Sequence, residues 1–380
     1  MMSKKSPQLR FEGFTDDWEQ RKLNEVSDIY DGTHQTPKYQ DDGVMFLSVE
    51  NIKTLTSNKF ISREAFEDEF KIRPQRGDVL MTRIGDIGTA NVVETDEDLA
   101  YYVSLALFKS EELNPYFLQS SIYAPFVQDQ IWKRTLHIAF PKKINKNEIG
   151  QVPINVPTLA EQTKIGSFFK QLDNTITLHQ RKLDLLKEQK KGYLQKMFPK
   201  NGAKVPELRF AGFADDWEER KLSDIADRFD NLRVPITASD RKPGDTPYYG
   251  ANGIQDYVEG FTHNGEFILV AEDGANDLKN YPVQYVNGKV WVNNHAHVLQ
   301  GKKTITDNKF LMNAIKNFNI EPFLVGGGRA KLNADVMMKL NILLPTFVEQ
   351  EKIGSLFSLL DKTIALHQRK LDLLKEQKKG

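Results

Sequence analysis

Apolar side chains recur at alternating steps of four and three residues over two long stretches of the chain. The first pattern runs from Ile165 to Lys190 and the second from Ile353 to Lys378. This spacing places the apolar positions along one stripe of an α-helix and is typical of a coiled-coil seam. The predicted seam positions are Ile165, Phe169, Leu172, Ile176, His179, Leu183 and Leu186, then Ile353, Phe357, Leu360, Ile364, His367, Leu371 and Leu374.

The two helical stretches end the two copies of a tandem repeat. The segment from Pro7 to Leu23 returns as Pro206 to Leu222, displaced by 199 positions, with four of seventeen positions changed. The segment from Leu159 to Gly192 returns as Phe347 to Gly380, displaced by 188, and ends in fifteen consecutive identities. Between them lie inserts of 135 and 124 residues that look unlike each other. This pattern favours two different binding modules in one common geometry, since a propeller or solenoid would need more and shorter repeats.

Both helices carry the signature of a capped start. Thr158 with Glu161, and Thr346 with Glu349, have the spacing of a capping box, in which the hydroxyl accepts from the N3 amide and the carboxylate reaches back to the cap. A proline precedes each threonine. Helices are therefore predicted to begin there, and a helix over 165–190 would be roughly 40 Å long at about 1.5 Å per residue.

The two helices are expected to pair antiparallel within one chain, because each insert must return to its own copy of the repeated segment. The result would be a pseudo-two-fold repeat. Two alternatives stay open, namely ordinary surface helices and a coiled coil between separate chains. The seam histidines His179 and His367 could also ligate a metal, although a histidine at a seam position more often sets the register.

Each insert mixes strand-like and helix-like patterns, so the fold class is α+β. The first insert predicts strands at 43–49 and 77–83 and a helix at 115–132, and the second predicts separate strands at 266–271, 283–286 and 289–292. The predicted boundaries are 1–158 for the first domain, which includes the repeated segment 7–23, 159–198 for the first helix, 199–346 for the second domain, which includes the segment 206–222, and 347–380 for the second helix.

Composition narrows the class of protein. The chain of 380 residues is 39% hydrophobic and 27% charged, as globular proteins are, and its lack of cysteine excludes disulfides, thiolate metal sites and a cysteine nucleophile. Apolar runs such as 267–271 are too short to span a membrane, and the start has no apolar stretch of signal-peptide length, so a cytoplasmic location is expected. With 52 basic and 52 acidic residues the net charge is zero, so any nucleic-acid binding must depend on local patches.

The repeat carries a family resemblance. Both helices open with Pro-x-x-x-Glu-Gln-x-Lys-Ile, at 157–165 and 345–353, and each follows a divergent domain. This tandem arrangement resembles the specificity subunit of type I restriction-modification systems over nearly the whole chain. Three shorter motifs, at 32–37, 249–253 and 291–297, resemble segments of such domains.

The resemblance implies a division of labour within a complex. Each insert would be a target-recognition domain that reads one half of a split, asymmetric double-stranded DNA target, and the helices would hold two methyltransferase subunits, with endonuclease/translocase subunits joining them. S-adenosylmethionine, and ATP with Mg²⁺ for restriction, would be bound by those partners. This chain would then bind no cofactor or metal, carry no catalytic residue and act in the bacterial cytoplasm at the nucleoid.

Helix length and charge add two expectations. A helix pair of roughly 40 Å is close to one turn of B-DNA at about 34–36 Å, so unread bases should separate the half-sites. The neutral net charge leads us to expect weak DNA binding by the isolated chain. Two rival functions remain, an enzyme acting on DNA by itself, for which no nuclease or methyl-donor motif is found, and an adaptor whose two inserts bind proteins.

Candidate DNA contacts are polar side chains in turn-rich segments, because Arg, Asn, Gln, Ser and Thr read base edges and Lys and Arg hold phosphates. In the first domain the candidates are Thr33, His34, Gln35, Thr36, Lys38, Tyr39, Arg83, Lys133, Arg134 and His137. In the second domain they are Tyr249, Asn252, Gln255, Asn276, Asn293, Asn294, His295, His297, Arg329 and Lys331.

Three more specific hypotheses, a metal site, a nucleotide-binding loop and a methyltransferase loop, are less favoured than an ordinary structural role. His295 and His297 would share a face if they lay in a strand, but no third metal ligand is evident. The segment from Gly326 to Lys331 lacks the spacing of a nucleotide-binding P-loop. Asn114-Pro-Tyr-Phe117 lacks the second proline of the methyltransferase loop it resembles, so Pro115 is interpreted as a helix start.

Overall fold

The structure is a computed structural model that describes residues 7–200, 202–326 and 330–379. The chain forms two compact units. The first contains the chain up to Thr177 together with the segment from Leu374 onward, and the second runs from Leu178 to Leu373.

The first unit holds three small sheets with helices packed on them. Its strands are β1 (Glu19–Lys22), β2 (Asp28–Asp31), β3 (Val44–Leu47), β4 (Phe60–Ile61), β5 (Val79–Ile84), β6 (Asp86–Val92), β7 (Leu99–Tyr101), β8 (Leu105–Lys109) and β9 (Pro153–Val156). Its helices are α1 (Leu23–Val26), α2 (Arg63–Glu69), α3 (Pro115–Tyr123), α4 (Pro125–Arg134), α5 (Lys146–Gly150) and the start of α6 (Leu159–Lys196). The sheet orders are β2-β8-β5-β6, β4-β3-β7 and β1-β9.

Alternate residues of β5 face two different cores in this unit. Val79 and Met81 pack with α3 and α4, whereas Leu80 packs with β3, β7 and α2. A strand buried on both faces needs apolar side chains at successive positions, which explains the continuous run Val79-Leu-Met81.

The second unit is built on one larger sheet. Its strands are β10 (Glu218–Lys221), β11 (Ala226–Arg228), β12 (Pro243–Gly250), β13 (Gly253–Val258), β14 (His263–Ala271), β15 (Val283–Val292), β16 (Ala296–Gly301) and β17 (Asn341–Leu344). Its helices are the rest of α6, α7 (Leu222–Ile225), α8 (Asn308–Lys316), α9 (Ala334–Met337) and α10 (Phe347–Lys379), of which the last turn belongs to the first unit. The sheet orders are β11-β16-β14-β15-β12-β13 and β10-β17.

The repeated segments form the same frame in both units. In the first, β1 pairs antiparallel with β9, the strand just before α6, with Glu19 opposite Val156. In the second, β10 pairs antiparallel with β17, the strand just before α10, with Glu218 opposite Leu344. These partners are related by the sequence offsets of 199 and 188, so the repeat in the sequence is also a repeat in hydrogen bonding.

The start of each long helix is anchored differently from the predicted capping box. The Thr158 hydroxyl accepts from the Glu161 amide at 3.4 Å, as predicted. The Glu161 carboxylate does not return to the cap, because Arg10 donates two hydrogen bonds to it at 2.7 and 2.8 Å. Glu349 accepts from Arg209 at the same two distances. This part of the capping-box prediction was wrong, since a guanidinium satisfies a buried carboxylate better than one backbone amide does.

The glutamine after each glutamate fixes a helix of the insert. The Gln162 Oε1 accepts from the amide of Asn114, the residue that caps α3, at 2.9 Å. The Gln350 Oε1 accepts from the amide of Asp307, the residue that caps α8, at 3.0 Å. The inserts, which differ in sequence, therefore dock a helix on the frame by the same contact.

The long helices run antiparallel where they meet. Within the second unit His179 faces His367 with 3.3 Å between their Nδ1 atoms, and Lys190 pairs with Asp361. Within the first unit the matching positions pair, Asp173 with Lys378. This confirms the predicted antiparallel coiled coil.

The seam positions divide between two kinds of packing. Ile165 packs on the core of the first domain, and Ile353, Phe357 and Leu360 pack on the core of the second domain. All of the predicted seam positions are buried or half-buried in the structure. The start of the apolar stripe on each helix therefore packs against a domain core, and the later part pairs with the other helix.

Two predicted elements differ from the structure. The single helix predicted at 115–132 is two helices, α3 and α4, because Ala124 is extended before Pro125 and the second proline starts a new helix. The two strands predicted at 283–286 and 289–292 are one strand, β15, since Gly288 has φ +96° inside it without reversing the chain. Among the described residues, no helix is both long and apolar enough to cross a membrane.

Candidate nucleic-acid interface

An exposed polar loop follows β2 in the first unit. His34, Gln35, Thr36 and Lys38 are exposed, and Tyr39 is 45% exposed. The Tyr39 ring packs edge-on against the buried Phe46, 5.6 Å between centroids. The loop therefore presents polar side chains from a fixed base, as a base-reading loop needs.

Two candidate DNA contacts of the first unit are buried and bond to other parts of the domain. Thr33 is 7% exposed, and its hydroxyl donates to Glu69 while its amide donates to the Tyr101 carbonyl. Arg83 is also 7% exposed, pairs with Asp31 and donates from Nε to the Ile144 carbonyl at 3.1 Å. Since neither side chain is open to DNA, the structure corrects their assignment as direct contacts and makes them supports of neighbouring loops.

The basic cluster at the end of α4 is accessible. Lys133 is exposed and pairs with Asp129 one turn earlier, and Arg134 donates to the Gln130 side chain at 2.8 Å. The exposed His137 ring lies 4.1 Å from the Trp132 ring and is hydrogen bonded to the Trp132 carbonyl. These contacts hold the basic side chains in defined positions at the surface.

Sequence reasoning missed the loop that follows this cluster. Ile138 and Phe140 are 98% and 103% exposed, and Trp132 is 58% exposed. Large apolar side chains are predicted to be buried when only the sequence is known, so no pattern marked them.

Three turns of the second unit bring most of its candidates to one surface. The turn between β12 and β13 contributes Asn252, whose side chain donates to the Gly274 carbonyl and accepts from the Asn276 amide, both in the turn between β14 and β15. The turn between β15 and β16 contributes Asn293, which donates to Gln255 at 3.5 Å. The half-buried Tyr249 lies near the end of β12. The turn between β15 and β16 also holds the exposed Asn294 and the half-buried His295, which pairs with Asp273.

Burial separates these candidates into two groups. Asn252, Gln255, Asn276 and Asn294 are exposed. Asn293 is 4% exposed, so it orders the surface from beneath rather than reaching out of it. Arg329 lies outside the residues that the structure describes, and its role as a contact stays a prediction.

His297 has a structural role. It is 1% exposed, and its ring nitrogens lie 2.7 Å from the Asp230 carboxylate and 2.8 Å from the Leu332 carbonyl. These two contacts hold the ring in one position inside the fold. Because the side chain is buried, the interpretation of His297 as a DNA contact is corrected to that of a structural residue.

The surroundings of His297 form a compact charge cluster. Ligand atoms of Asp230, Glu272 and His297 lie within 4.8 Å of one another, a spacing that a metal could use. However, Arg233 donates to Glu272 at 2.6 Å and Lys331 pairs with it at 2.9 Å. Arg233 also lies 3.6 Å from the Asp230 carboxylate. Cations therefore pair with both carboxylates, and the cluster is interpreted as a network of ion pairs.

Ion pairs and hydrogen bonds lower the pKa of both carboxylates although the two groups are partly buried. Burial raises the pKa of Asp230, but the hydrogen bond and charge of His297 outweigh it and leave this pKa below its ordinary value. Burial likewise opposes ionisation of Glu272, yet Lys331 and Arg233 hold the pKa of Glu272 below its ordinary value. Lys331, a predicted phosphate contact, is exposed although paired, so it remains accessible.

Exposed apolar groups on β13 were also missed. Ile254 is 49% exposed and Tyr257 is 54% exposed, on the edge strand next to the turn that holds Asn252. Burial raises the pKa of the neighbouring Tyr249, so its hydroxyl stays a neutral donor at ordinary pH. The surface thus combines amide groups with aromatic ones.

Comparisons with known proteins give one consistent match. A family model described as the type I restriction modification DNA specificity domain matches residues 15–188 and 214–376. A putative type I restriction enzyme specificity subunit from Haemophilus influenzae is 44% identical over 154 residues, which are 40% of this chain and 39% of that protein. The chain therefore spans about two fifths of the length of this relative.

Two longer matches cover nearly the whole chain. The putative type I restriction enzyme MjaX specificity subunit of Methanocaldococcus jannaschii is 22% identical over 393 residues, covering 96% of this chain and 91% of that protein. A crystal structure of a type I restriction-modification S subunit from M. genitalium aligns over 98% of this chain and 96% of that one, with a TM-score of 0.72 and 15% identity. The structural likeness shows that the two chains share a fold.

Proposed function

Because the chain belongs to the family of type I restriction modification DNA specificity proteins, we propose that it selects the DNA target of a type I restriction-modification complex. Each of its two domains reads one half of an asymmetric, split sequence in double-stranded DNA. The long helices set the spacing of the halves and leave the bases between them unread.

The observation that carries this proposal is the contrast between a constant frame and variable reading surfaces. Arg10–Glu161 and Arg209–Glu349 anchor the two long helices with matching distances. On this frame the first domain presents the loop 33–39 and the second presents the turns around Asn252 and Asn294. Different chemistry on identical supports is what reading two different half-sites requires.

The helices also offer a surface for partner subunits. Leu178 and Leu185 of α6, and Leu359, Leu366 and Leu373 of α10, are between 52% and 67% exposed. They recur every seven residues on each helix, so they form a stripe outside the seam. Leucines in such a repeat suit a further helix, and we assign this surface to the methyltransferase subunits, two copies per chain.

Chemistry belongs to those partners in this proposal. Methyl transfer to adenine from S-adenosylmethionine, and ATP- and Mg²⁺-dependent cleavage by endonuclease/translocase subunits, would take place on target DNA that this chain selects inside the bacterial cell. The adaptor alternative is less favoured, since the family matched is a DNA specificity family.

The proposal is tested by making the complex and following its DNA binding. The full chain is co-purified with its methyltransferase and incubated with genomic fragments, and methylated adenine is mapped by long-read sequencing. We expect one split motif that requires this chain, and tight binding by the complex but not by the isolated chain. Methylation that is unchanged when the chain is left out would contradict the proposal.

A further inference from the structure

The loop between α4 and α5 carries two apolar side chains with no protein around them. Ile138 and Phe140 are 98% and 103% exposed, the highest values among the exposed large apolar residues of the described chain. Leaving side chains of this size in water forgoes burial that ordinarily stabilises a fold. Such exposure at a loop tip points to a binding role.

The base of this loop is hydrogen bonded to itself and to the neighbouring strand end. The Leu136 amide donates to the Lys143 carbonyl at 2.8 Å, and the Gly85 amide donates to the Lys142 carbonyl at 2.8 Å. The Lys142 ammonium lies 4.9 Å from the centre of the Trp132 ring. The tip is thus held outward by its stem instead of folding back on the domain.

Arg83 connects this stem to the polar reading loop. Its guanidinium donates to the Ile144 carbonyl at the base of the apolar loop, and it also pairs with Asp31 at the end of β2. The polar loop 33–39 begins two residues after Asp31. One buried side chain therefore fixes both loops relative to each other within the first domain.

The loop and the helix ends that flank it are strongly basic in a neutral protein. From Gln130 to Asn147 the chain has no acidic residue. It contains five basic ones, Lys133, Arg134, Lys142, Lys143 and Lys146. Lys142 and Lys143, which directly follow the apolar tip, are exposed. This combination suits a polyanion with an apolar interior that can be opened, which describes stacked base pairs between phosphate backbones.

We propose that Ile138 and Phe140 form a wedge that enters between stacked base pairs of the first half-site, while Lys142 and Lys143 contact the flanking phosphates. The proposal deepens the proposed function and rests on it. The wedge kinks the duplex by about 20 to 90°, as inserted apolar side chains do in other proteins. Sequences that unstack easily at that step are then preferred, so the wedge adds specificity without hydrogen bonds to bases.

The test measures DNA bending by the full complex. The duplex carries the motif found by methylation mapping, placed at different positions along fragments of equal length, and gel mobility reports the bend. The wild-type complex is compared with Ile138→Ser/Phe140→Ser, with Phe140→Trp, and with Leu9→Ser, a control at an apolar residue that is 87% exposed. Matching thermal unfolding shows that the tip variants remain folded.

We expect the double serine variant to lose the bend and to bind the motif at least tenfold more weakly, with Phe140→Trp and Leu9→Ser close to the wild type. An unbent duplex with wild-type protein, or unchanged bending and affinity in the double variant, would overturn the wedge alone. Absence of any motif with wild-type protein would overturn the proposed function and the wedge with it.

The same set of proteins distinguishes two other binding partners of the loop, a membrane and the methyltransferase subunit. Binding to vesicles that contain phosphatidylserine, lost in the double variant while DNA bending is retained, would replace the wedge by a membrane contact. Loss of methyltransferase co-purification with bending unchanged would replace it by a subunit contact.

Discussion

Arg209 and Glu349 form a two-pronged ion pair that ties the second copy of the repeated segment to the start of α10, with Nε and Nη2 at 2.7 and 2.8 Å from the two carboxylate oxygens. Glu349 is fully buried, and the Arg209 side chain is 13% exposed. Arg10 and Glu161 repeat this pair in the first unit. The chain has therefore preserved, in duplicate, a contact between segments 140 or more residues apart.

Removing the arginine of this pair should weaken the second unit strongly. Arg209→Ala leaves the buried Glu349 carboxylate without its partner, and loss of one member of a buried ion pair costs about 3 kcal/mol or more. Urea unfolding of the full chain measures the loss. Arg220→Ala, which breaks the exposed pair with Glu218, is the matched control and should change stability by less than about 1 kcal/mol. Equal effects of the two substitutions would contradict a special role for Arg209.

Glycine to alanine at two positions of α6 should have opposite effects. A Cβ on Gly166 would overlap the Asn114 side chain and lie 2.9 Å from the Phe117 amide nitrogen, whereas a Cβ on Gly192 would meet nothing within 4 Å. Gly166→Ala is therefore expected to destabilise the protein by about 1 to 3 kcal/mol, and Gly192→Ala to stabilise it by about 0.5 to 1 kcal/mol. Unfolding midpoints compare the two, and a stabilising Gly166→Ala would show that the docking contact is loose.

The histidine pair should make the helix pair sensitive to acid. Burial, and then the positive charge of Lys370 and the facing His367 ring, hold the pKa of His179 below its ordinary value. A lowered pKa in the folded state means that this contribution is complete above about pH 6.5 and is lost as the pH falls through the folded pKa. Thermal unfolding of wild type should therefore drop between pH 7.5 and 5.5 more than that of His179→Gln.

A substitution at the exposed His34 serves as the control for that experiment. His34→Gln should keep the full pH dependence of the wild type, because His34 lies in the exposed loop 33–39. If His179→Gln and His34→Gln behave alike, the pairing of His179 with His367 has no part in acid sensitivity.

Because of the charge cluster around His297, we expect a second loss of folding stability at a lower pH. The pKa values of Asp230 and Glu272 lie below their ordinary values, so their contribution is present above about pH 4 and is lost at lower pH. Asp230→Asn should lower stability at neutral pH by about 3 kcal/mol and flatten the stability curve in acid. Added Zn²⁺ should leave wild-type unfolding unchanged, and a rise in the unfolding temperature would support the metal alternative instead.

The sequence repeat was sufficient to predict the frame but not the contacts that secure it. Offsets of 199 and 188 predicted two matching copies, and the structure pairs β1 with β9 and β10 with β17 accordingly. The role of Glu161 was not visible, because Arg10 lies 151 residues away and local spacing suggested a cap. Long-range pairing of this kind leaves no local pattern in one sequence.

The candidate site was predictable in residue type but not in exposure. Asn252 and Gln255 are at the surface as predicted. Arg83 and His297 are buried, because their ion-pair partners, Asp31 and Asp230, lie far from them in the sequence. Phe140 shows the opposite error. An apolar residue is predicted to be buried unless the loop that carries it is known to project.

Replacing one recognition domain shows whether each domain reads its own half-site. A chain in which residues 223–346 are exchanged for the corresponding part of a related protein is expressed with the same methyltransferase, and methylated adenine is mapped across the genome. We expect a split motif in which one half changes while the other half and the requirement for this chain persist. A motif that is unchanged, or that changes in both halves, would contradict the claim that each domain reads its own half-site.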